Sequence, residues 1–442
     1  MELAMLKRLT SFTVSNMVPC IILRKSDKVI ELLKGIHFVA SVEAISLGVQ
    51  AGIHPWILYD IISNAAGNSW IYKNYIPLLL QGSKIKDDFL NASAQRMGIV
   101  LDTAKSVTFP LPLLAAAHQQ FLAGSRHADA NGLDGLKVWE RVFGVQIMDA
   151  ANAETYNPEL LANQLSAKSK QVNNIGFIGL GAMGFGMATH LLKSNFSVHG
   201  FDVYKPTLSR FAKAGGLIGS SPAEVSKDVD VLIVMVTNEV QAESVLYGVD
   251  GAVSVLQPGA SIVLSSTVSP AFISQLELRL QSSICFKNVI LSSFFLVYIL
   301  IFQLQTVDEN KGLKLIDAPV SGGVIRASEG TLTIMASGTD EALEHAGSVL
   351  SALSEKLYVI KGGCGAGSGV KMVNQLLAGV HIASAAEAMA FGARLGLDTR
   401  VLFDVIKASE GTSWYGHLSW FIICYLLNNS LVLKRSLVYD WP

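Results

Sequence analysis

A glycine-rich turn gives the clearest indication of chemistry in this sequence. An apolar run at 174–178 leads into residues 179–184 (Gly-Leu-Gly-Ala-Met-Gly) and then into a helix-like segment. In such a turn the first glycine allows a sharp bend, the second lets backbone N–H groups approach a pyrophosphate, and the third lets the helix pack closely on the strand. The N-terminus of the helix faces the negative charge. The pattern predicts a bound dinucleotide, contacted by Gly179, Leu180, Gly181, Met183 and Gly184.

An acidic residue follows at the spacing that a dinucleotide site requires. Residues 197–203 are typical of a second strand that ends at Asp202, about 20 residues after the turn. A carboxylate there accepts hydrogen bonds from ribose hydroxyl groups and repels a 2′-phosphate, which favours NAD. Because the basic residue Lys205 lies nearby, NADP stays an alternative cofactor. The alternative for the whole pattern is a glycine-rich turn in another kind of α/β domain.

Two further segments carry polar groups that suit a small acid. Residues 317–323 (Asp-Ala-Pro-Val-Ser-Gly-Gly) follow an apolar strand at 313–316, and their bend presents a hydroxyl group and backbone N–H groups to a carboxylate. An ordinary strand-to-helix turn is the alternative. Lys371, Asn374 and Gln375 share one face of a later helix. A desolvated lysine can take up a hydroxyl proton as hydride leaves the carbon, whereas a solvated helix lysine is the alternative.

Composition sets the class of protein. The chain has 442 residues, enough for two or three domains. Its 34 basic and 35 acidic residues are nearly balanced and give no indication of binding to nucleic acid or to an anionic membrane. The four cysteines form no disulfide framework and no zinc site, which suits a reducing compartment. Residues 1–28 lack the pattern of a secretory signal, although an organellar transit peptide stays open. We expect a cytoplasmic location, with an organelle as the alternative.

One uncharged stretch, residues 288–307, is nearly long enough to cross a bilayer. It interrupts an α/β pattern between a helix-like run at 270–281 and the strand at 313–316. A membrane-spanning helix there would divide one parallel sheet across the membrane. We therefore interpret residues 282–307 as an apolar insertion of open conformation and expect no membrane association.

The two ends of the chain contain a repeated sequence. Residues 32–70 align without a gap to residues 376–414 at a constant offset of 344. The shared residues include the pairs Gly35 and Gly379, His37 and His381, Glu43 and Glu387, Gly67 and Gly411, and Trp70 and Trp414. The first copy continues through helical runs at 89–107 and 111–123, whereas the second copy lacks these helices. We expect residues 29–145 to pack on residues 371–414, either within one chain or between two, because the apolar face of the second copy would otherwise be exposed.

These patterns predict an α/β Rossmann-type nucleotide-binding domain together with all-α helical domains. The predicted order is a degenerate helical module over 29–145, a polar linker over 146–172, the nucleotide-binding domain over 173–360 and a truncated helical module over 361–442.

The three motifs, in this order and spacing, resemble the β-hydroxyacid dehydrogenase family, to which 3-hydroxyisobutyrate and threonate dehydrogenases belong. The resemblance covers 173–281 and 308–414. It implies helical domains like the C-terminal domain of 6-phosphogluconate dehydrogenase, a homo-oligomer, and hydride transfer between NAD(P) and a small hydroxy or polyhydroxy acid. The tandem of helical modules is similar to that of large plant proteins. No metal is implied.

The resemblance also implies roles for individual residues. Lys371 would be the acid/base residue. The residues implied for the substrate are Ser321, Gly322, Gly323, Asn374 and Gln375, and those near the nicotinamide and its ribose are Thr237, Asn238 and Thr267.

The first copy departs from the family pattern. Asp27 aligns with Lys371 and Ile30 with Asn374, so we expect this copy to be inert on its own. The family's distal Lys-Asp pair is replaced by Gln95 and Arg96. The retained motifs favour a dehydrogenase. The insertion and the shortened second copy favour the alternative, a non-catalytic product that binds only NAD(P) or partner subunits.

Overall fold

The computed structural model describes residues 2–83, 89–125, 133–169, 172–281 and 311–413, with the backbone alone for 2–24, 133–136, 138 and 166. These residues form two compact units, one up to residue 155 and again from 373, the other over 156–372. We call them the helical unit and the nucleotide unit. The predicted insertion at 282–307 and Trp414 lie outside the described residues.

The described helices are, in chain order, α1 (Glu2–Gln50), α2 (Pro55–Ser63), α3 (Trp70–Leu80), α4 (Phe89–Ser106), α5 (Pro112–Ser125), α6 (Leu133–Phe143), α7 (Ile147–Asn152), α8 (Pro158–Lys168), α9 (Ala182–Lys193), α10 (Lys205–Lys213), α11 (Pro222–Ser226), α12 (Glu239–Tyr247), α13 (Pro270–Gln281), α14 (Gly323–Glu329), α15 (Asp340–Leu353), α16 (Ala366–Arg394) and α17 (Thr399–Lys407). A single 3₁₀ turn over Ala252–Ser254 is also described.

The nucleotide unit is built around a mostly parallel sheet. Its strands are β1 (Asn174–Ile178), β2 (Ser197–Phe201), β3 (Leu217–Ile218), β4 (Val231–Val234), β5 (Ser261–Leu264), β6 (Lys314–Asp317), β7 (Val320–Ser321), β8 (Leu332–Gly338) and β9 (Ser354–Val359). The strand order is β3-β2-β1-β4-β5-β6-β8-β7, and β9 lies beside β8. Strands β1 to β6 pair in parallel, whereas β8 is antiparallel to β6 and β7. The order of β1 to β6 confirms the predicted Rossmann-type fold.

The central strands are apolar on both faces because helices cover both faces. Every residue of β4 is buried. Val231 and Ile233 belong to one apolar core with α9 and α15, while Leu232 and Val234 belong to a second core with α12 and α13. Burial on two sides explains why these strands read as continuous apolar runs in the sequence.

The helical unit has an aromatic centre supplied by α1. The ring of Phe38 lies among the rings of Tyr75, Phe89, Phe121 and Trp139, at centroid distances of 5.9, 5.1, 5.4 and 5.4 Å. Aromatic rings at these separations bury a large apolar area and prefer such tilted contacts. The predicted helical runs of the first copy are present as α4 and α5.

The two copies of the repeated sequence fold alike. Helices α1 and α16 end at Gln50 and Arg394, and α2 and α17 span Pro55–Ser63 and Thr399–Lys407, so these bounds are related by the offset of 344. In each copy a glycine of the long helix lies against a leucine of the next helix, Gly48 against Leu58 and Gly392 against Leu402.

The two copies also pack on each other within the helical unit. Ser69 and Ser413 form an antiparallel bridge, and the N–H group of Trp70 donates to the carbonyl of Thr412 at 2.9 Å. The contacts are reciprocal, since Gly67 lies against Leu377 and Gly411 against Leu33. The rings of His37 and His381 are 4.5 Å apart. The expectation that the first copy covers the second is confirmed for the described residues.

Residues 146–172, predicted as a polar linker, contain two helices. Helix α7 buries Ile147 and Ala151 in the helical unit, and α8 buries Ala162 in the core of the nucleotide unit. Lys168 of α8 also forms an ion pair with Glu344 at 3.8 Å. Each helix buries so few apolar residues that the segment reads as polar in the sequence.

Within the described parts of the chain, two stretches have the length and hydropathy of a membrane-spanning helix, residues 25–50 of α1 and all of α16. Core helices of soluble proteins share these properties, and 78% of the α1 window is buried inside the protein. The absence of membrane association stays a prediction.

Candidate active site

The predicted glycine turn joins β1 to α9. Gly179 has a φ of +95°, and a side chain there would overlap the carbonyl group of Met235. A side chain at Gly184 would overlap the carbonyl of Gly179. Gly181 is the N-cap residue of α9 and faces open space, so its lack of a side chain leaves room for a ligand rather than for protein packing. The turn therefore has the shape and the free helix N-terminus that a pyrophosphate requires.

Asp202 lies beside this turn, at the end of β2. One carboxylate oxygen accepts the N–H group of Leu180 at 2.8 Å, and the other accepts that of Tyr204 at 2.8 Å. These bonds fix the orientation of the carboxylate, and each oxygen keeps a second lone pair for a hydroxyl donor. The side chain of Leu180 is buried in the core, and Met183 packs against that core. Leu180 and Met183 therefore support the turn by packing into the core.

The loops after β4 and β5 reach the same edge of the sheet, since parallel strands end on one side. The N–H group of Val236 donates to Ser266 Oγ at 2.8 Å, which ties the two loops together. Asn238 caps α12 and accepts the N–H group of Gln241 at 3.0 Å. Thr237 and Thr267 are exposed at this edge. The predicted cofactor residues thus lie on neighbouring loops.

The Ser-Gly-Gly segment forms the bend that the sequence predicts. Ser321 is the last residue of β7, and Gly322 and Gly323 have φ values of +141° and +77°. Residues with side chains rarely adopt these angles, so the bend requires glycine. The two glycines turn the backbone from β7 into α14.

Lys371 is bonded to the residue that precedes this segment. Its Nζ donates to the carbonyl of Val320 at 2.9 Å, and the side chain is only 8% exposed. Burial removes water from the ammonium group and lowers the pKa of Lys371 to about 8. The structure does not fit the alternative of a solvated helix lysine.

Asp317, the first residue of the motif at 317–323 but not one of the predicted site residues, holds the start of α16. Its carboxylate accepts the N–H groups of Gly365 and Ser368 at 3.1 and 2.7 Å, together with the hydroxyl groups of Ser368 and Ser337 at 2.6 and 3.2 Å. Burial raises the pKa of Asp317, and these donors oppose the rise. We call this set of four residues the Asp317 clamp. An acid that ends an apolar strand is the signal that the sequence contained.

Asn374 and Gln375 lie one turn beyond Lys371 on α16. Asn374 Oδ1 accepts the N–H group of Gly67 at 2.8 Å. Its Nδ2 is buried and has no hydrogen-bond partner among the described residues, whereas Gln375 is exposed. A buried amide donor without a partner is costly unless a ligand or water supplies an acceptor.

No group of three or more His, Cys, Asp or Glu side chains within the described part of the chain is placed to hold a metal ion.

Known proteins match both units. Residues 174–286 and 302–362 match the NAD binding domain of 6-phosphogluconate dehydrogenase. Residues 28–138 and 365–420 match the NAD-binding domain of NADP-dependent 3-hydroxyisobutyrate dehydrogenase. The L-threonate dehydrogenase of Cupriavidus necator is 46% identical over 241 residues, which are 54% of this chain and 72% of that protein. The chain belongs to the β-hydroxyacid dehydrogenase family.

Other β-hydroxyacid dehydrogenases match the same share of the chain. The L-threonate dehydrogenase of Escherichia coli K12 is 35% identical over 54% of this chain and 71% of its own length. Human mitochondrial 3-hydroxyisobutyrate dehydrogenase is 32% identical over 54% of this chain and 63% of its own length. The crystal structure of 3-hydroxyisobutyrate dehydrogenase from Salmonella typhimurium covers 58% of this chain and 79% of its own, with 32% identity and a TM-score of 0.48. As a member of the family, the chain is an NAD(P)-dependent hydroxyacid dehydrogenase for a small hydroxyacid.

Proposed function

We propose that this chain oxidises a polyhydroxy acid of the threonate type with NAD, and that Lys371 is the acid/base residue. The observation that carries this proposal is the buried Lys371 amine, which donates to the carbonyl of Val320 just before the Ser-Gly-Gly segment and has a pKa lowered to about 8. The threonate class rests on the names of the similar proteins. A 3-hydroxyisobutyrate-like acid is the second candidate, because dehydrogenases of that name also match.

The residues divide the work as follows. NAD, when bound, accepts the hydride from the substrate carbon. The neutral amine of Lys371 takes the hydroxyl proton from the substrate, and burial makes this form available near neutral pH. Ser321 and the backbone of Gly322 and Gly323 bind the carboxylate.

The remaining predicted residues bind cofactor or substrate oxygens. Asp202 accepts the ribose hydroxyl groups, and the turn at 179–184 receives the pyrophosphate. The orphan Nδ2 of Asn374 donates to a substrate oxygen, which removes the cost of leaving it unpaired, and Gln375 lies beside it on α16. Thr237, Asn238 and Thr267 flank the nicotinamide ribose.

The test is turnover by the purified chain. NADH absorbance is followed with NAD and a panel of hydroxyacids that includes L-threonate, 3-hydroxyisobutyrate and tartronate. We expect the largest kcat/KM for L-threonate. Lys371→Ala should reduce kcat by about 10²–10⁴ while NAD affinity changes by no more than a few-fold. A Lys371→Ala variant that keeps most of its kcat would refute the acid/base role.

A second function is favoured by Arg96. This residue replaces an acid of the family pattern and forms an ion pair with Glu31 at 2.9 Å. A chain without the distal Lys-Asp pair would bind NAD and yet show no turnover with any hydroxyacid. NAD titration combined with the absorbance assay separates the two functions.

A further inference from the structure

The helical unit contains a cavity of about 410 Å³, within the range of small-molecule sites. Its apolar lining residues are Phe38, Ile71, Leu78, Phe89, Met97 and Phe121. Four charged side chains also line it, Glu31, Lys34, Arg96 and Glu410. The cavity therefore offers an amphipathic environment, with both aromatic and charged lining residues.

The four charges form a chain of alternating sign. Arg96 Nε lies 2.9 Å from Glu31 Oε2, and Lys34 Nζ lies 3.1 Å from Glu31 Oε1 and also pairs with Glu410. Within the described ranges, Arg96 has Glu31 as its only charged partner, and Glu410 has only Lys34. This chain of charges thus ends in a cation, Arg96, and an anion, Glu410, and each can pair with one more charged group.

We propose that this cavity binds an α-amino acid with an apolar side chain. The ligand carboxylate pairs with Arg96 and its ammonium group pairs with Glu410, which closes the chain of charges into a ring. Its side chain contacts the aromatic lining residues Phe38 and Phe121. A zwitterion leaves the net charge of the cluster at zero, whereas a ligand with a single charge leaves one end of the chain without a partner.

The repeated sequence explains how such a site arose. Glu31 of α1 corresponds to Gln375 of α16, and Asp27 and Ile30 stand where α16 carries Lys371 and Asn374. On the proposed function, the cavity is thus the first copy's counterpart of the substrate end of the catalytic helix. Because the lysine is absent from it, the site binds a ligand without chemistry.

The test is isothermal titration of the full chain with L-phenylalanine and L-leucine. We expect saturable binding in the millimolar range or tighter. Two analogues should bind about tenfold more weakly, 3-phenylpropionate, which lacks the ammonium group, and 2-phenylethylamine, which lacks the carboxylate. L-phenylalanine should also bind about tenfold more weakly to the variants Arg96→Gln and Glu410→Gln. Lys105→Gln, which removes an exposed ion pair with Asp102, is the matched control and should leave binding unchanged.

Three outcomes would overturn the proposal. They are no binding of either amino acid, equal binding of the single-charge analogues, and unchanged affinity in both Arg96→Gln and Glu410→Gln. Competition separates this site from the catalytic one. Saturating L-threonate should not displace L-phenylalanine, and displacement would show that the amino acid occupies the substrate site, which also overturns the proposal. Amino-acid binding without turnover of any hydroxyacid would refute the proposed function and support the cavity site.

Discussion

At the scale of single residues, the environment of Lys371 decides what the site can do. Its ammonium group keeps one hydrogen bond, to the carbonyl of Val320, and loses most of its water. A carbonyl acceptor stabilises the charged form less than a carboxylate would, so desolvation dominates. The amine is therefore divided between its two protonation states close to neutral pH.

This environment predicts opposite pH profiles for the two directions of the reaction. Oxidation needs the neutral amine, so its kcat/KM should rise as pH increases through about 8. Reduction needs the protonated amine and should fall over the same range. Initial rates in both directions provide the measurement. Profiles that rise together, or that stay flat near pH 8, would contradict the role of Lys371.

Asp202 predicts the choice of cofactor. Asp202→Ala removes a charged acceptor for ribose hydroxyl groups, and we expect NAD affinity to fall about tenfold. NADP affinity should change less, because the substitution also removes a negative charge facing the 2′-phosphate. Titration of both cofactors gives the comparison, with NADP as the internal control for damage to the turn. Equal weakening of the two would count against Asp202 as a ribose ligand.

At the scale of elements, the position of Lys371 depends on how α16 begins. Gly367 approaches β8 so closely that a side chain would overlap the carbonyl of Met335. The Asp317 clamp adds hydrogen bonds between the end of β6 and the first turn of the helix. Helix α16 is therefore anchored on β6 and β8, and β6 leads towards the Ser-Gly-Gly bend.

Asp317→Asn tests this anchor. The amide oxygen can take the place of the carboxylate oxygen that accepts both backbone N–H groups, but the amide NH₂ group then takes the place of the oxygen that accepts the Ser368 hydroxyl. That hydroxyl loses its acceptor, and the two N–H groups bond to a neutral oxygen instead of a charged one. We expect the free energy of unfolding of the nucleotide unit to fall by about 1–3 kcal/mol, with a lower kcat. Ser337→Ala removes the 3.2 Å bond to the same carboxylate and also the acceptor of the buried Gly367 N–H group, so it should likewise cost about 1–3 kcal/mol. Urea unfolding and turnover of both variants provide the measurements, and an unaffected Asp317→Asn would exclude the clamp.

Local patterns predicted most of the elements near the site. The glycine turn, the strand ending near Asp202 and the helix over 270–281 follow from residues close in sequence, and each is present. The antiparallel strands β7 and β8 and the Asp317 clamp were not predicted. They depend on contacts between residues 12 to 51 positions apart in the sequence, which periodicity does not contain.

At the scale of the whole molecule, two uncharged histidines lie where the copies of the repeated sequence meet. His37 and His381 are fully buried, and His37 Nε2 is 3.2 Å from Ser384 Oγ. Burial lowers the pKa of His381 to about 3 and that of His37 well below its ordinary value, where the neighbouring His381 adds to the effect. Both rings are neutral in the folded state.

Acid should therefore loosen the helical unit. The unfolded state takes up a proton at each histidine near pH 6.5 and the folded state does not, so stability is complete above that pH and falls as the pH decreases towards 3. The slope approaches about 1.4 kcal/mol per pH unit for each histidine. Trp56, Trp70 and Trp139 lie in this unit and residues 156–372 contain no tryptophan, so tryptophan fluorescence during urea unfolding reports on this unit. His381→Gln should reduce the slope, His118→Gln should not, and equal slopes would contradict this account.

Deletion of residues 1–150 tests the packing of the copies. Leu377 and Phe391 of α16 are fully buried in the intact protein, and removal of the first copy would expose them. We expect the shortened chain to aggregate, because an apolar face of this size promotes association. A monomeric, soluble fragment with unchanged NAD affinity would show that the first copy is not needed as a cover.

The reciprocal contacts of Gly67 with Leu377 and of Gly411 with Leu33 have a consequence for how the protein behaves on dilution. Two such surfaces on separate chains would part at low concentration, whereas here a covalent connection keeps their effective concentration high at any dilution. In a symmetric dimer a substitution changes both subunits at once. Here a substitution in one copy is not repeated in the other, because both copies are parts of one sequence. The first copy can therefore carry Asp27 at the position that corresponds to Lys371 without any change in the second copy. The two copies are free to specialise.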